Sequence, residues 1–118
     1  MSYVFEANDT TVWSPGLRVG ALYVRVAECL ADWIGLQSGL DPMASDYYVI
    51  NVDAFATFVR ALLTDPGAAH PIFSELTRGF IVTSLVMLSR VAAPVPALGP
   101  GADQFTELMP AIASKMPT

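Results

Sequence analysis

The chain has 118 residues, a formal net charge of −5 from 6 basic and 11 acidic side chains, and 53% hydrophobic against 14% charged residues. That length suits one domain with a real core, and the acidic balance excludes a nucleic-acid binder, since Lys115 and Arg18, Arg25, Arg60, Arg78 and Arg90 form no basic stripe. The single cysteine, Cys29, rules out an internal disulfide and a Cys-rich zinc site, and it suits a reducing, cytoplasmic compartment.

Tyr3 and Phe5 alternate with Val4 and Glu6, and Thr10 to Trp13 forms a second short run, with Asn8-Asp9 as a turn pair between them. This predicts a β-hairpin. Ser14 and Pro15 supply an N-cap and a first helical residue, so a helix is expected to run to about Trp33. Its inner face is predicted to be Leu22, Val26, Cys29, Leu30, Trp33 and Ile34, whose spacings follow three and four. Gly35, Gly39 and an Asp41-Pro42 turn then break the chain before a third strand at 47–52, rich in aromatic and β-branched residues.

Asp53 is expected to cap the next helix, where Phe55, Phe58, Val59 and Leu62 make an amphipathic face and Asp65-Pro66-Gly67 ends it. Pro71 restarts a helix to about Ala92. Ile72, Phe73, Leu76, Phe80, Thr83, Met87 and Val91 form one face, but Ile81, Val82, Leu85, Val86 and Leu88 make the others apolar too. Such a helix is central in its own fold or buried in an oligomer. A Pro/Gly linker at 93–102 leads to a tail at 103–118, in which Phe105, Leu108, Met109 and Ile112 form an amphipathic segment that Pro110 should shorten.

The N-terminus lacks a basic run followed by an apolar run, so no signal peptide is expected. The apolar stretch 80–88 is far short of the ~20 residues of a membrane span, so no membrane partner is expected either. The hydrophobic fraction is high for so small a body. Part of that surface should be covered by another chain or a ligand.

Few groups invite chemistry. His70 is the only histidine, so imidazole catalysis would have to use it; beside Pro71 at a helix start, it reads as a cap or a solvent-facing group. Asp46, Tyr47 and Tyr48, with Asp53, surround the third strand. They would line a cleft for a cationic or hydroxylated small molecule if that strand were a sheet edge, and they equally suit a strand start and a helix cap. Glu28 and Asp32 share a helix face at i, i+4, which reads as solvated because two carboxylates do not make a metal site. Cys29 lies on the predicted apolar face and reads as buried, away from any pairing with His70. Trp13 and Trp33 read as core. No phosphate loop, dinucleotide fingerprint, zinc-protease helix or nucleophile elbow is present, and neither a cofactor nor a metal is expected.

Tyr-Val-Phe-Glu at residues 3–6, Val-Trp-Ser-Pro-Gly at 12–16, Asp53-Ala54-Phe55 and His70-Pro71-Ile72 resemble a group of small uncharacterised bacterial proteins of similar length. The resemblance covers roughly residues 3–92. It implies a bacterial, cytosolic single-domain protein and carries over no catalytic residue.

The expected fold is therefore α+β: a ββαβαα body at 1–92 with a three-stranded sheet packed on helices, followed by the linker and tail. The expected function is that of a non-catalytic interaction or accessory protein acting as a homo-oligomer through the helix 71–92, where an arginine at Val82 or Val86 should dissociate the assembly if the contact is there and unfold the chain if the position is core. The alternative is a domain that binds an apolar small molecule, or a cofactor-free cyclase or isomerase with an apolar pocket.

Overall fold

Asn8 and Asp9 adopt the left-handed backbone, with φ of 51° and 62°, and close a tight hairpin between β1 (Val4–Ala7) and β2 (Thr10–Trp13). The structure is a computed structural model and describes residues 2–91, 98 and 100–118. The fold is α+β and chiefly helical. Its sheet, however, has four strands and not three, in the order β2-β1-β4-β3. The expected third strand is β4 (Tyr47–Ile50), which pairs in parallel with β1. Outside it lies β3 (Leu40–Ala44), antiparallel to β4 and drawn from the segment expected to be an Asp41-Pro42 turn. Pro42 is tolerated because β3 is an edge strand, where a missing N–H disrupts no second ladder. Gly39, at φ 83°, leads into it with its backbone against that of Phe55, so no side chain fits there.

The helix expected after Ser14 is α1 (Leu17–Ile34), and its N-cap is Gly16. Ser14 is occupied otherwise: its hydroxyl donates to the Tyr3 carbonyl at 2.9 Å and its amide to the Pro117 carbonyl at 2.7 Å. The inner face of α1 also differs from expectation. Gly20, Tyr23, Val24, Ala27 and Ala31 are buried, whereas Leu22, Cys29 and Trp33 are exposed. Small residues let α1 approach closely, and at Gly20 a side chain would run into the Tyr3 ring.

Helix α2 (Val52–Thr64) is capped by Asn51, whose Oδ1 accepts the Ala54 amide at 3.1 Å. Asp53 stands in the first turn, exposed, where its charge suits the positive helix end. Phe55, Phe58, Val59 and Leu62 are fully buried, as their spacing predicts. A 3-10 turn (Pro66–Ala69) leads to α3 (Pro71–Ser89). From Phe80 to Leu88 nearly every side chain of α3 is buried, so the helix is central to its own fold. Val82 and Val86, each 1% exposed, are core residues and cannot form a contact between copies. At the other end of α3, Ile72 and Leu76 are exposed. By length and composition α3 could cross a membrane, and half of it is buried inside the fold.

Pro94, Pro96 and Gly99 of the expected linker lie outside the described residues. The 3-10 segment Pro100–Leu108 and α4 (Met109–Ala113) pack on α3. Phe105 and Met116 enter the core, Met109 and Ile112 are half-buried against it, and Leu108 is largely exposed. The Arg90 guanidinium holds this end down through the carbonyls of Val12, Ala113 and Met116.

Candidate functional site

The residues singled out for chemistry occupy separate places. His70 is exposed and caps α3, its Nδ1 accepting the Ile72 amide at 3.2 Å. Tyr47 and Tyr48 follow one another on β4 and so point to opposite faces. The Tyr47 hydroxyl donates to Glu6 Oε2 at 2.8 Å, a bond that holds its proton and raises its pKa, with burial adding to the effect. Tyr48 stacks on Tyr3 and Phe5, with centroids 6.1 and 5.8 Å apart; burial raises its pKa, helped by Tyr3 and Glu28. Asp46 sits in the turn before β4, and its carbonyl accepts the Val4 amide. Since β4 is an interior strand, the cleft expected at a sheet edge does not form there. Glu28 and Asp32 are exposed, and among the described residues no three His, Cys, Asp or Glu side chains gather to hold a metal.

What the fold does bring together lies on α1 and α3. The two helices run antiparallel side by side: Tyr23 stacks on Phe80 at 4.9 Å, and Trp33 packs on Phe73 at 4.9 Å. Each presents a stripe spaced four, three, four that the described residues leave exposed except at half-buried Val26 and Thr83. On α1 it is Leu22, Val26, Cys29 and Trp33, with Leu22 63% and Trp33 54% exposed; on α3 it is Ile72, Leu76, Gly79 and Thr83, with Ile72 60% and Leu76 81% exposed. Leu22, Val26, Gly79 and Thr83 line one groove of about 310 Å³, so the stripes share a side of the molecule. Among the described residues, nothing stands within 4 Å of where a side chain on Gly79 would project. A mid-helix glycine there serves no contact inside the fold, although it costs about 0.5–1 kcal/mol relative to alanine.

The far wall of the groove is formed by Trp13, Ile112, Lys115 and Met116. The indole Nε1 of Trp13 is buried and has no hydrogen-bond partner among the described residues, a state that ordinarily costs about 1–3 kcal/mol. Tyr23 on the floor is satisfied. Ser84 gives its proton to the Phe80 carbonyl at 2.8 Å, so the Tyr23 hydroxyl donates to Ser84 Oγ at 2.7 Å, and burial pushes this phenol well above its usual pKa. Four of the six basic residues, scattered in sequence, gather on this side. Arg18 and Arg25 line a depression adjoining Leu22, Arg78 lines another beside Gly79, and no carboxylate lines any of the three.

A model of the family described as "Family of unknown function (DUF6086)" matches residues 1–118. The chain belongs to DUF6086. No curated protein and no solved structure matches it. Because the DUF6086 match spans the whole chain, it includes the C-terminal segment, beyond the reach of the resemblance at residues 3–92. Sequence reasoning found the α1 stripe by its spacing and assigned it to the core. It missed Gly79 and the Trp13 N–H, for which only the absence of any internal role is a signal.

Proposed function

We propose that this DUF6086 protein is a non-catalytic interaction protein that acts as a homo-oligomer, with the α1–α3 face as its contact surface. The observation that carries this reading is the pair of parallel apolar stripes left uncovered on α1 and α3. Large exposed apolar patches rimmed by polar residues mark interaction surfaces. None of the three grooves described above is lined by His70, Asp46, Tyr47 or Tyr48, which supports the same side. The test is light scattering on the wild type and on Leu22→Arg and Leu76→Arg. Both positions are exposed, so the variants should stay folded and lose the oligomer; a wild type that is monomeric at high micromolar concentration rejects the reading.

A second reading, binding of an apolar small molecule, is favoured by one feature. The groove of about 310 Å³ is lined chiefly by apolar side chains, among them Leu22, Val26 and Phe80, so a ligand with an apolar body suits it. Native mass spectrometry reporting a co-purified small molecule would favour this reading.

A further inference from the structure

Resting on the reading that the α1–α3 face joins two copies of this chain, we infer that the copies meet about a two-fold axis with their α1 helices antiparallel and Cys29 beside that axis. Charge order along α1 selects this arrangement. Arg18 and Arg25 occupy the N-terminal half of α1 and Asp32 the C-terminal half, flanking the apolar stripe, with Glu28 one turn before Asp32 on the side toward Tyr48; all four are exposed. None of these four forms an ion pair among the described residues, whereas Arg78, on α3, is already paired with Glu75 at 3.4 Å.

A two-fold that kept the α1 helices parallel would set Arg18 on Arg18 and Arg25 on Arg25, beside apolar surface where like charges are poorly screened. The antiparallel two-fold brings the basic half of each helix to the acidic half of the other, and symmetry makes the match twice over. The same operation places Leu22 near Trp33 of the second copy, a small aliphatic against a large ring. It also sets Cys29, near the middle of the stripe from Leu22 to Trp33, close to its own counterpart.

The area is sufficient. An 18-residue α1 is about 27 Å long, and with α3 beside it at an interaxial spacing of about 8–10 Å the joint face buries on the order of 1,000 Å² over both copies, the lower range of specific interfaces. Gly79, with open space above it, lets the second copy approach α3 closely.

The experiment is a charge swap read by sedimentation equilibrium, with thermal melting to show that each variant folds. Arg25→Glu alone and Asp32→Arg alone should each weaken dimerisation about tenfold, because two attractive pairs become two repulsive ones. The double variant should recover the wild-type constant. A short bis-maleimide should join two wild-type chains through Cys29, and no link should form in Cys29→Ser. A dimer in which the double variant is weaker than either single change overturns the antiparallel arrangement while leaving the homo-oligomer standing. A dimer indifferent to all three charge variants and not linked at Cys29 shows that the contact lies elsewhere. A wild-type monomer removes the reading on which the inference rests, and the inference with it.

Discussion

Arg90 donates to the Met116 carbonyl at 2.8 Å, and the same guanidinium reaches the carbonyls of Val12 at 3.0 Å and Ala113 at 3.1 Å. One side chain at the end of α3 thus ties the hairpin to the C-terminal segment. Carbonyls left without a donor at a partly buried site are costly, so Arg90→Ala should lose roughly 2–3 kcal/mol in urea unfolding. Arg90→Lys should recover little, since an ammonium lacks the planar fork that spans three acceptors. A loss under about 0.5 kcal/mol would show that the segment is held without Arg90, by its apolar packing and the Ser14–Pro117 bond.

Two helical glycines should respond to alanine with opposite signs. At Gly79 the new methyl meets open space, so Gly79→Ala should raise stability by about 0.5–1 kcal/mol. At Gly20 it runs into the Tyr3 ring, so Gly20→Ala should destabilise the fold by about 1–3 kcal/mol. Paired thermal melts at concentrations dilute enough for the single chain decide both, and a fall in stability at Gly79 there would mean that something inside the fold requires the glycine.

The Tyr23 phenol gives the fold an alkaline limit. Burial raises its pKa above the ordinary 10.0, with the Ser84 hydrogen bond acting in the opposite direction. Above pH 10 the unfolded chain releases this proton and the folded chain keeps it. The unfolded state therefore binds fewer protons, and stability falls as pH rises. Below pH 10 the contribution is fully present. Tyr47 and Tyr48, also raised, act in the same direction. Tyr23→Phe should cost about 0.5–1.5 kcal/mol at neutral pH for the lost hydrogen bond and flatten the decline above pH 10. An unchanged alkaline slope would contradict the assignment to Tyr23.

Much of the fold is legible in the residues themselves. Asn8-Asp9 fixes the hairpin through its backbone preference, and Phe55, Phe58, Val59 and Leu62 mark the inner face of α2 because large side chains there coincide with the core. On α1 the same rule points the wrong way. Its inner contacts come from Gly20, Ala27 and Ala31, which carry little hydrophobic weight but permit close packing, while Leu22, Cys29 and Trp33 form the more apolar stripe on the outside. Spacing reveals that a stripe exists and is silent on what covers it. β3 escapes notice because Pro42 normally signals a turn, and only the unpaired outer side of an edge strand accommodates it. The candidate surface was thus visible as a pattern, and its placement on the outside needed the packing of α1 against Tyr3 and Phe80.

The position of an arginine separates the core of α3 from its outer face. Val82→Arg should unfold the chain, because a charge would be buried without a partner. Leu76→Arg should leave the melting temperature of the dissociated chain nearly unchanged and only alter association, since surface changes stay within about 0.5 kcal/mol. Circular dichroism melts of the two variants should therefore diverge sharply, and similar melts would place α3 differently from the packing described.

That the α1–α3 face is covered when the protein associates is tested most directly by the reactivity of Cys29, the only thiol, which is exposed in the single chain. The measurement is its rate of labelling by a bulky maleimide over a concentration series from nanomolar to high micromolar. Labelling should be fast at the dilute end and fall at least tenfold as the chains associate, with the midpoint following the mass measured by light scattering. A rate that is independent of concentration and equal to that of a free thiol would show that nothing covers this face, and the interaction reading would fail.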